Sequence, residues 1–316
     1  METVRCSLCG ADDTEGIFEE KDRLHGTEGT FNLVKCHQCG LIYLNPRPTI
    51  EEMTRYYPED YSPYQYLGEH PSWFVRWGYI YGQKKLYHAV VTRVNIKTGR
   101  ILDIGCSTGG FLAGMREWGG WETYGVEINP YAAKYAREHL GLNVTVGELF
   151  DAHYPNATFD VVTLWNVLEH LHQPIATLSE IGRIIQPGGL LVLTVPNIDS
   201  VEAKIFGRYW AGLDAPRHLY LYSRNVIKKI LDSTGFELVE VASFTGRYSV
   251  LSMSLGFWID EKVTNLNTKT FLKRCVNSFL PRLLTLPYYF VADRLNQSSV
   301  MTVFARRREV NHEISI

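Results

Sequence analysis

The stretch from Arg100 to Leu112 constrains the fold more than any other part of the chain. It begins with a short run of β-branched and apolar residues that ends at Asp103, which predicts a buried strand. Glycines follow, and a helical pattern then runs from Phe111 to Trp118. A strand, a glycine turn and a helix start allow backbone N–H groups to approach a polar ligand closely. The pattern therefore predicts a βα unit with a ligand-binding loop.

The glycine spacing in this loop is Asp-x-Gly-x-x-x-Gly, which differs from the Gly-x-Gly-x-x-Gly of dinucleotide-binding loops. This difference disfavours a nucleotide-dependent oxidoreductase. The run from Asp103 to Gly109 resembles motif I of the class I S-adenosylmethionine-dependent methyltransferases, in which glycine usually stands where this chain has Ser107. The resemblance implies a Rossmann-like, doubly wound and mostly parallel sheet of seven strands, with S-adenosylmethionine as the cofactor.

Strand and helix patterns alternate beyond this unit. Further strands are predicted at Glu122–Glu127, Asn143–Val146, Phe159–Leu164, Leu190–Val195, Glu237–Ser243 and Ser299–Arg306. Five βα units in order predict a doubly wound parallel sheet. In the family that the chain resembles, the last strand is usually antiparallel and lies beside the sixth.

Candidate cofactor ligands lie at the predicted strand ends. Glu127 ends a strand about 20 residues beyond the glycine loop, where a carboxylate can accept hydrogen bonds from both ribose hydroxyls. The resemblance also implies an adenine contact at Glu148 and places the end of the fourth strand beside the methionine moiety and the acceptor. A structural turn or a solvated strand end is the alternative. The candidate cofactor-binding residues are Asp103, Gly105, Cys106, Ser107, Gly109, Glu127, Ile128, Glu148, Leu149, Trp165 and Asn166.

Two Cys-x-x-Cys-Gly knuckles precede this region, formed by Cys6 with Cys9 and by Cys36 with Cys39. Four thiolates at this spacing predict a tetrahedral zinc site, and a site closed by four protein ligands is structural. The gap between the pairs leaves room for a β-hairpin from Ile17 to Val34. Four buried cysteines without a metal are the alternative.

The loop after the fifth strand carries the candidate catalytic residues. Its Trp-x-x-x-Asp-x-Pro-Arg-His-Leu pattern resembles a methyltransferase branch that includes the zinc-bearing sugar C-methyltransferases. His218 is the first candidate for a general base, because an imidazole pKa near 6.5 suits proton removal near neutral pH. His170 is the second, and Arg217 could bind an anionic group of the acceptor beside Asp214. The alternative is a salt-bridged loop that closes the cofactor pocket.

The chain divides by composition and pattern into five parts. These are a zinc-ribbon-like module (1–48), a helical and aromatic linker (49–95), the S-adenosylmethionine-binding domain (96–245), a helical insertion (246–297), and a last strand with a tail (298–316). The tyrosine-rich segment 56–64 either covers a substrate or packs as a linker. The basic and apolar insertion could rest on a membrane surface or receive a lipid-linked acceptor, or it could pack as a lid or dimer contact.

A formal net charge of −2 gives no reason to expect a nucleic-acid partner. The start of the chain lacks the apolar core of a signal peptide, and no apolar run approaches the roughly 18 residues of a membrane span, so a cytoplasmic protein is expected.

The expected function is methylation of a small-molecule acceptor, such as a nucleotide-activated sugar or a natural-product intermediate. A lipid or quinone O-methyltransferase and a catalytically inactive zinc-ribbon interaction protein are the alternatives. The sequence does not indicate the oligomeric state.

Overall fold

The computed structural model describes residues 1–57, 73–244 and 247–309. Strands and helices alternate from Arg100 onward, as the glycine-turn unit predicts. The strands are β1 (Thr14–Glu20), β2 (Phe31–Cys36), β3 (Ile42–Leu44), β4 (Arg100–Ile104), β5 (Glu122–Glu127), β6 (Asn143–Val146), β7 (Phe159–Trp165), β8 (Ile185–Pro196), β9 (Tyr220–Leu221), β10 (Phe236–Ala242) and β11 (Val300–Arg307). The helices are α1 (Ile50–Met53), α2 (Trp73–Val91), α3 (Gly110–Gly119), α4 (Pro130–Leu140), α5 (Pro174–Ile184), α6 (Val201–Phe206), α7 (Arg224–Ser233), α8 (Arg247–Lys262), α9 (Leu266–Val276), α10 (Phe279–Leu284) and α11 (Leu286–Arg294).

Seven of the strands form one sheet, in the order β10-β11-β8-β7-β4-β5-β6. The five strands from β4 to β8 are parallel, whereas β11 runs antiparallel between β8 and β10. The order reverses at β4, where β5 and β7 lie on either side. This arrangement confirms the predicted α/β, doubly wound, mostly parallel sheet and the antiparallel last strand.

The N-terminal part forms a second, smaller sheet in the order β1-β2-β3-β9. Its first two strands are the predicted hairpin between the cysteine knuckles. The fourth strand comes from far along the chain: Tyr220 pairs with Tyr43, and Leu221 pairs with Ile42. The loop after β8 therefore ends inside the sheet of the N-terminal module, a long-range pairing that periodicity does not reveal.

Local signals set the ends of the helices around the large sheet. The side chain of Asn129 accepts hydrogen bonds from the N–H groups of Tyr131 and Ala132, and Pro130 occupies the first turn of α4. At α3 the cap is Gly109, whose φ of 82° lies in the left-handed region that favours glycine. The cap thus allows the chain to turn sharply from β4 into α3.

The insertion before β11 folds as the four helices α8 to α11. In the ranges 1–57, 73–244 and 247–309, no helix combines the length and the apolar character that crossing a bilayer requires. Most of the tyrosine-rich segment, the start of the insertion and most of the tail fall on residues 58–72, 245–246 and 310–316, which lie outside the described residues.

Replacing Gly109 with alanine should destabilise the protein. A Cβ atom there would lie 2.3 Å from Leu142 Cδ1, on a backbone whose positive φ already disfavours a side chain. The free energy of unfolding should fall by about 2–4 kcal/mol, as measured by urea denaturation. Gly82→Ala is the matched control, because its Cβ would meet no atom within 4 Å inside a helix. Equal stability of the two variants would contradict the assignment of strain to Gly109.

Candidate functional site

The candidate cofactor residues lie at one edge of the large sheet. Asp103 lies near the carboxyl end of β4, Glu127 ends β5, Glu148 follows β6 and Asn166 follows β7. These strands are parallel, so their carboxyl ends meet at the same edge. Open α/β sheets bind ligands at this edge, where the strand order reverses. This edge beside β4 is therefore where a sheet of this topology would bind a ligand.

The glycine loop after β4 bends through several residues with positive φ. Gly105 has a φ of 70° and Ser107 a φ of 50°. A positive φ is uncommon for residues other than glycine, which gives a physical reason why glycine usually stands at the position of Ser107 in the resembled motif. Cys106 is buried between these two residues. The loop thus keeps the turn of the motif in spite of the serine.

Glu127 ties the glycine loop to the end of β5. Its Oε2 accepts a hydrogen bond from the Ser107 N–H at 2.8 Å, and its Oε1 accepts one from the Asn129 N–H at 2.7 Å. Burial raises the pKa of Glu127, although these backbone hydrogen bonds oppose the rise. A carboxylate oxygen accepts more than one hydrogen bond, so both oxygens can also receive ribose hydroxyls. The neighbouring Ile128 is exposed at the mouth of the cleft.

Asp103 is buried behind the loop, where its Oδ1 accepts a hydrogen bond from Thr163 Oγ1 at 2.6 Å. Burial raises the pKa of Asp103 to about 8; the Thr163 hydrogen bond opposes this rise and the charge of Glu127 adds to it. Two carboxyl groups thus lie at the ends of β4 and β5, one of them hydrogen-bonded to β7.

The remaining candidate residues line the ends of β6 and β7. Glu148 is exposed at the start of a short 3-10 helix whose first residue, Leu149, is buried. Trp165 packs edge-on against Phe111 of α3, with 5.3 Å between the ring centroids. Asn166 has a φ of 55°, and its N–H donates to Thr194 on β8. The aromatic pair therefore joins β7 to the helix that follows the glycine loop.

His170 and His218 come together beyond the end of β7, with 4.7 Å between their ring centroids. Nδ1 of His170 lies 3.0 Å from the Arg217 carbonyl oxygen, and Nδ1 of His218 lies 2.8 Å from that of Gly212. Because a carbonyl only accepts hydrogen bonds, Nδ1 carries the proton in both rings and Nε2 carries the free lone pair. Tyr57 Oη also lies 3.0 Å from Nδ1 of His170.

Both imidazoles are neutral near pH 7. Burial lowers the pKa of His170 to about 3, and the neighbouring His218 adds to this effect. Burial also lowers the pKa of His218, although Asp214 opposes the shift. The two candidate bases thus lie in one small region, a proximity that the sequence analysis does not predict.

Arg217 is fully buried, and its guanidinium is engaged by protein groups. It donates to Asp214 through Nε and Nη2, to Asp22 through Nη1 and Nη2, and to the Tyr56 carbonyl through Nη1. These five hydrogen bonds match the five N–H groups of a guanidinium. Binding an acceptor anion would require one of these hydrogen bonds to break. The contacts therefore match the alternative given in the sequence analysis, a loop held by salt bridges.

Asp22 and Glu169 are site residues that sequence reasoning does not select. Burial would raise the pKa of Asp22, but hydrogen bonds from Arg217 and His25 outweigh it and lower the pKa to about 2. Asp22 lies in the loop between β1 and β2, where nothing in the sequence links it to Arg217. Glu169 directly precedes His170 just after β7. This pair of an acidic residue and a histidine beyond a strand end is the sequence signal that could have identified Glu169.

The four knuckle cysteines converge at the other end of the N-terminal module. Their Sγ atoms all lie within 4.8 Å of one another, with Cys6–Cys39 at 3.4 Å and Cys9–Cys36 at 3.5 Å. Thiolates bound to one zinc ion at about 2.3 Å lie about 3.8 Å apart. None of the four forms a disulfide. The donor set fits a tetrahedral metal ion.

The methyltransferase-domain family matches residues 79–241, about half of the chain. An uncharacterized methyltransferase of Schizosaccharomyces pombe is 34% identical over 106 residues, which cover 29% of this chain and 38% of that protein. A ubiquinone biosynthesis O-methyltransferase of an Azoarcus species is 30% identical over 161 residues, which cover 46% of this chain and 67% of that protein. The chain thus spans between about a third and two thirds of these relatives.

Among solved structures, phosphoethanolamine N-methyltransferase 2 of Haemonchus contortus has a TM-score of 0.51 and 18% identity. The alignment covers 92% of this chain and 71% of that one, whose structure holds phosphomonomethylethanolamine and S-adenosylhomocysteine. At this identity the likeness shows a shared fold.

Replacing Asp22 with asparagine should destabilise the protein, because it leaves the Arg217 charge buried with one partner fewer. The free energy of unfolding at pH 7 should fall by about 3–5 kcal/mol, as measured by urea denaturation. The pKa of Asp22 is depressed in the folded state, so its contribution is present above pH 4 and is lost as the pH falls toward 2. The difference in the free energy of unfolding between wild type and variant should therefore shrink as the pH falls from 4 to 2.

Asp232→Asn is the control, since this half-exposed carboxylate pairs with Lys228 and Arg308 at the protein surface and its loss should leave the denaturation midpoint almost unchanged. A gap between wild type and Asp22→Asn that stays constant down to pH 2 would contradict the ionic role of Asp22.

Proposed function

Because the chain belongs to the methyltransferase-domain family and has the class I S-adenosylmethionine-dependent methyltransferase fold, we propose that it transfers the methyl group of S-adenosylmethionine to a small-molecule acceptor. The observation that carries this proposal is the meeting of two features at one edge of the sheet. These are the glycine loop with its buried Glu127 and the neutral pair of His170 and His218.

The first feature is proposed to hold the cofactor. Glu127 accepts hydrogen bonds from the ribose hydroxyls, Glu148 lies at the adenine end, and Asp103 stands at the end nearest the sulfonium. The loop N–H groups and the aromatic pair of Phe111 and Trp165 close the sides of the cleft. S-adenosylmethionine supplies a methyl group on a sulfonium, which a correctly placed nucleophile attacks without covalent help from the protein.

The second feature is proposed to act on the acceptor. A hydroxyl is a weak nucleophile until its proton is drawn away, and a neutral imidazole can accept that proton. His218 and His170 both present an unprotonated Nε2, and His218 is the better base because burial lowers the pKa of His170 to about 3. Arg217 and Asp214 are proposed to position His218, because their ion pair fixes the loop that carries it.

A nucleotide-activated sugar or a natural-product intermediate is the first acceptor class that we propose. Its support is the resemblance of the Asp-x-Pro-Arg-His-Leu loop to that of the sugar C-methyltransferases, together with the cysteine module that this loop joins through β9. No Asn-Pro-Pro-Tyr or Asp-Pro-Pro-Tyr pattern follows β7, which disfavours the exocyclic amine of a nucleobase.

The insertion favours a second candidate, a lipid or quinone hydroxyl. From Leu266 to Leu295 the chain carries five basic residues against one acidic residue. Large apolar side chains on the same helices are exposed, including Phe279, Leu280 and Leu284. Apolar side chains mixed with lysine and arginine suit a contact with an anionic bilayer. The ubiquinone biosynthesis O-methyltransferase from Azoarcus is consistent with this acceptor class.

Labelled methyl transfer tests the function and separates the acceptor classes. Purified protein is incubated with methyl-labelled S-adenosylmethionine and cell extract, and the products are partitioned between water and organic solvent. Label in the aqueous phase supports a sugar-type acceptor, and label in the organic phase supports the lipid or quinone. Cofactor binding without any labelled product would favour the inactive interaction protein.

Glu127→Ala should weaken the binding of S-adenosylhomocysteine at least tenfold, because the ribose loses a charge-assisted hydrogen-bond acceptor worth about 1.5–3 kcal/mol. Isothermal titration calorimetry measures this loss. Glu122→Ala is the matched control, since Glu122 begins the same strand, is exposed and pairs with Arg100 at the opposite edge. An unchanged affinity in Glu127→Ala would refute the ribose role.

The four cysteines are proposed to bind a structural zinc ion. Cys36→Ser should lower the melting temperature by roughly 10 °C, because the metal contributes directly to folding. The exposed Cys275 lies outside the cluster, so Cys275→Ser should leave the melting temperature unchanged. Loss of methyl transfer in Cys36→Ser at an unchanged melting temperature would show that the structural role is wrong.

A further inference from the structure

We propose that Glu169, His170 and His218 form a second metal site, which binds one divalent cation at the acceptor side of the cleft. The site is separate from the four cysteines. The chemical role of the cation rests on the proposed function. Binding of the cation does not, because its affinity is measured without any methyl transfer.

Glu169 gives the first evidence for this site. Its side chain is completely buried, and neither carboxylate oxygen has a hydrogen-bond partner among the described residues. An unpaired carboxylate in the protein interior is costly, and buried carboxylates are ordinarily paired with cations or bound to metals. No lysine or arginine forms an ion pair with Glu169 in the parts of the chain that the structure describes. A bound cation would supply the partner that the ionised form of this group lacks.

The two imidazoles give independent evidence. Histidines that bind metals almost always donate the other ring N–H to a carbonyl or carboxylate, which fixes the tautomer and the ring orientation. Both His170 and His218 show this arrangement, with Nδ1 held by the carbonyl oxygens of Arg217 and Gly212. Each ring thus keeps its Nε2 lone pair for a ligand bond.

The distances suit a shared ion. One ligand atom from each of Glu169, His170 and His218 lies within 4.8 Å of the others. Ligand atoms bound to one ion at about 2.1 Å lie about 3–4.2 Å apart, so binding an ion would draw the three groups together. The glutamate has no hydrogen bond to either imidazole, as expected for groups that surround an ion.

The ligand set indicates what the cation could do. Two imidazoles and one carboxylate leave coordination positions open, in contrast to the closed set of four thiolates. The site follows β7 at the sheet edge that carries the glycine loop. A cation with an open position there would polarise an acceptor hydroxyl and lower its pKa. His170 and His218 would then be ligands of the cation, and the acceptor's proton would leave to solvent.

Titration with Mn²⁺ tests the site, because Mn²⁺ binds a carboxylate together with imidazoles and does not displace zinc from four thiolates. The full chain loaded with one equivalent of zinc, which the four thiolates take up, is titrated, and the electron paramagnetic resonance signal of free Mn²⁺ is followed. We expect one bound Mn²⁺ per chain. Glu169→Gln keeps the size of the side chain and should weaken binding at least tenfold, since even outer-shell changes cost 10–100-fold.

Glu202→Gln is the matched control. Glu202 is equally buried and also has a carboxylate oxygen without a partner, but it lies on α6 and accepts a hydrogen bond from Tyr289 on α11. Its Mn²⁺ affinity should equal that of the wild type. If Glu169→Gln fails to fold, His218→Gln provides the same test, with circular dichroism to verify folding.

Absence of Mn²⁺ binding to the wild type at 1 mM, or equal binding by wild type and Glu169→Gln, would overturn the proposal. S-adenosylhomocysteine affinity, measured on the same samples, separates this failure from failure of the proposed function. Retained S-adenosylhomocysteine binding without Mn²⁺ binding would leave the methyltransferase intact, with the imidazoles as free bases. Weaker Mn²⁺ binding in Glu169→Gln at unchanged S-adenosylhomocysteine affinity supports the metal site.

Discussion

The buried guanidinium of Arg217 is the interaction on which the rest of the structure depends. It binds Asp22 of the N-terminal module on one side and Asp214 of the loop after β8 on the other. A buried charge is tolerated only with full pairing, because its desolvation costs several kcal/mol. The loop can therefore adopt this conformation only when the module is folded against it. His218, the next residue, takes its position at the cleft from the same constraint.

The sequence predicts the large sheet well, because each strand end and helix start carries a local signal. Asn129 and Gly109 fix the starts of α4 and α3 through capping chemistry that depends on neighbouring residues alone. The site is predicted less completely. Arg217 is selected as a candidate ligand, yet its partner Asp22 lies nearly two hundred residues away and carries no signal of its own. Contacts between residues that only the tertiary fold brings together cannot be predicted from sequence motifs or from hydrophobic periodicity.

The proposed cofactor and acceptor halves of the site differ in how they are built. The cofactor half consists of backbone turns and strand ends, so its shape follows from the sheet itself. The acceptor half consists of side chains from the loop after β8, the end of β7 and Tyr57, and it depends on contacts with the N-terminal module. Changes in the module can therefore alter the acceptor half while leaving the cofactor half unchanged.

The pairing of β9 with β3 has a consequence for the order in which the chain is made on the ribosome. The cysteines and the first three strands of the small sheet emerge early, whereas Tyr220 and Leu221 follow about 180 residues later. During that interval the outer edge of β3 has no partner, and an open strand edge invites pairing with other chains. Early binding of a metal ion by the four cysteines would fix the positions of β2 and β3 until β9 is synthesised and can pair with β3.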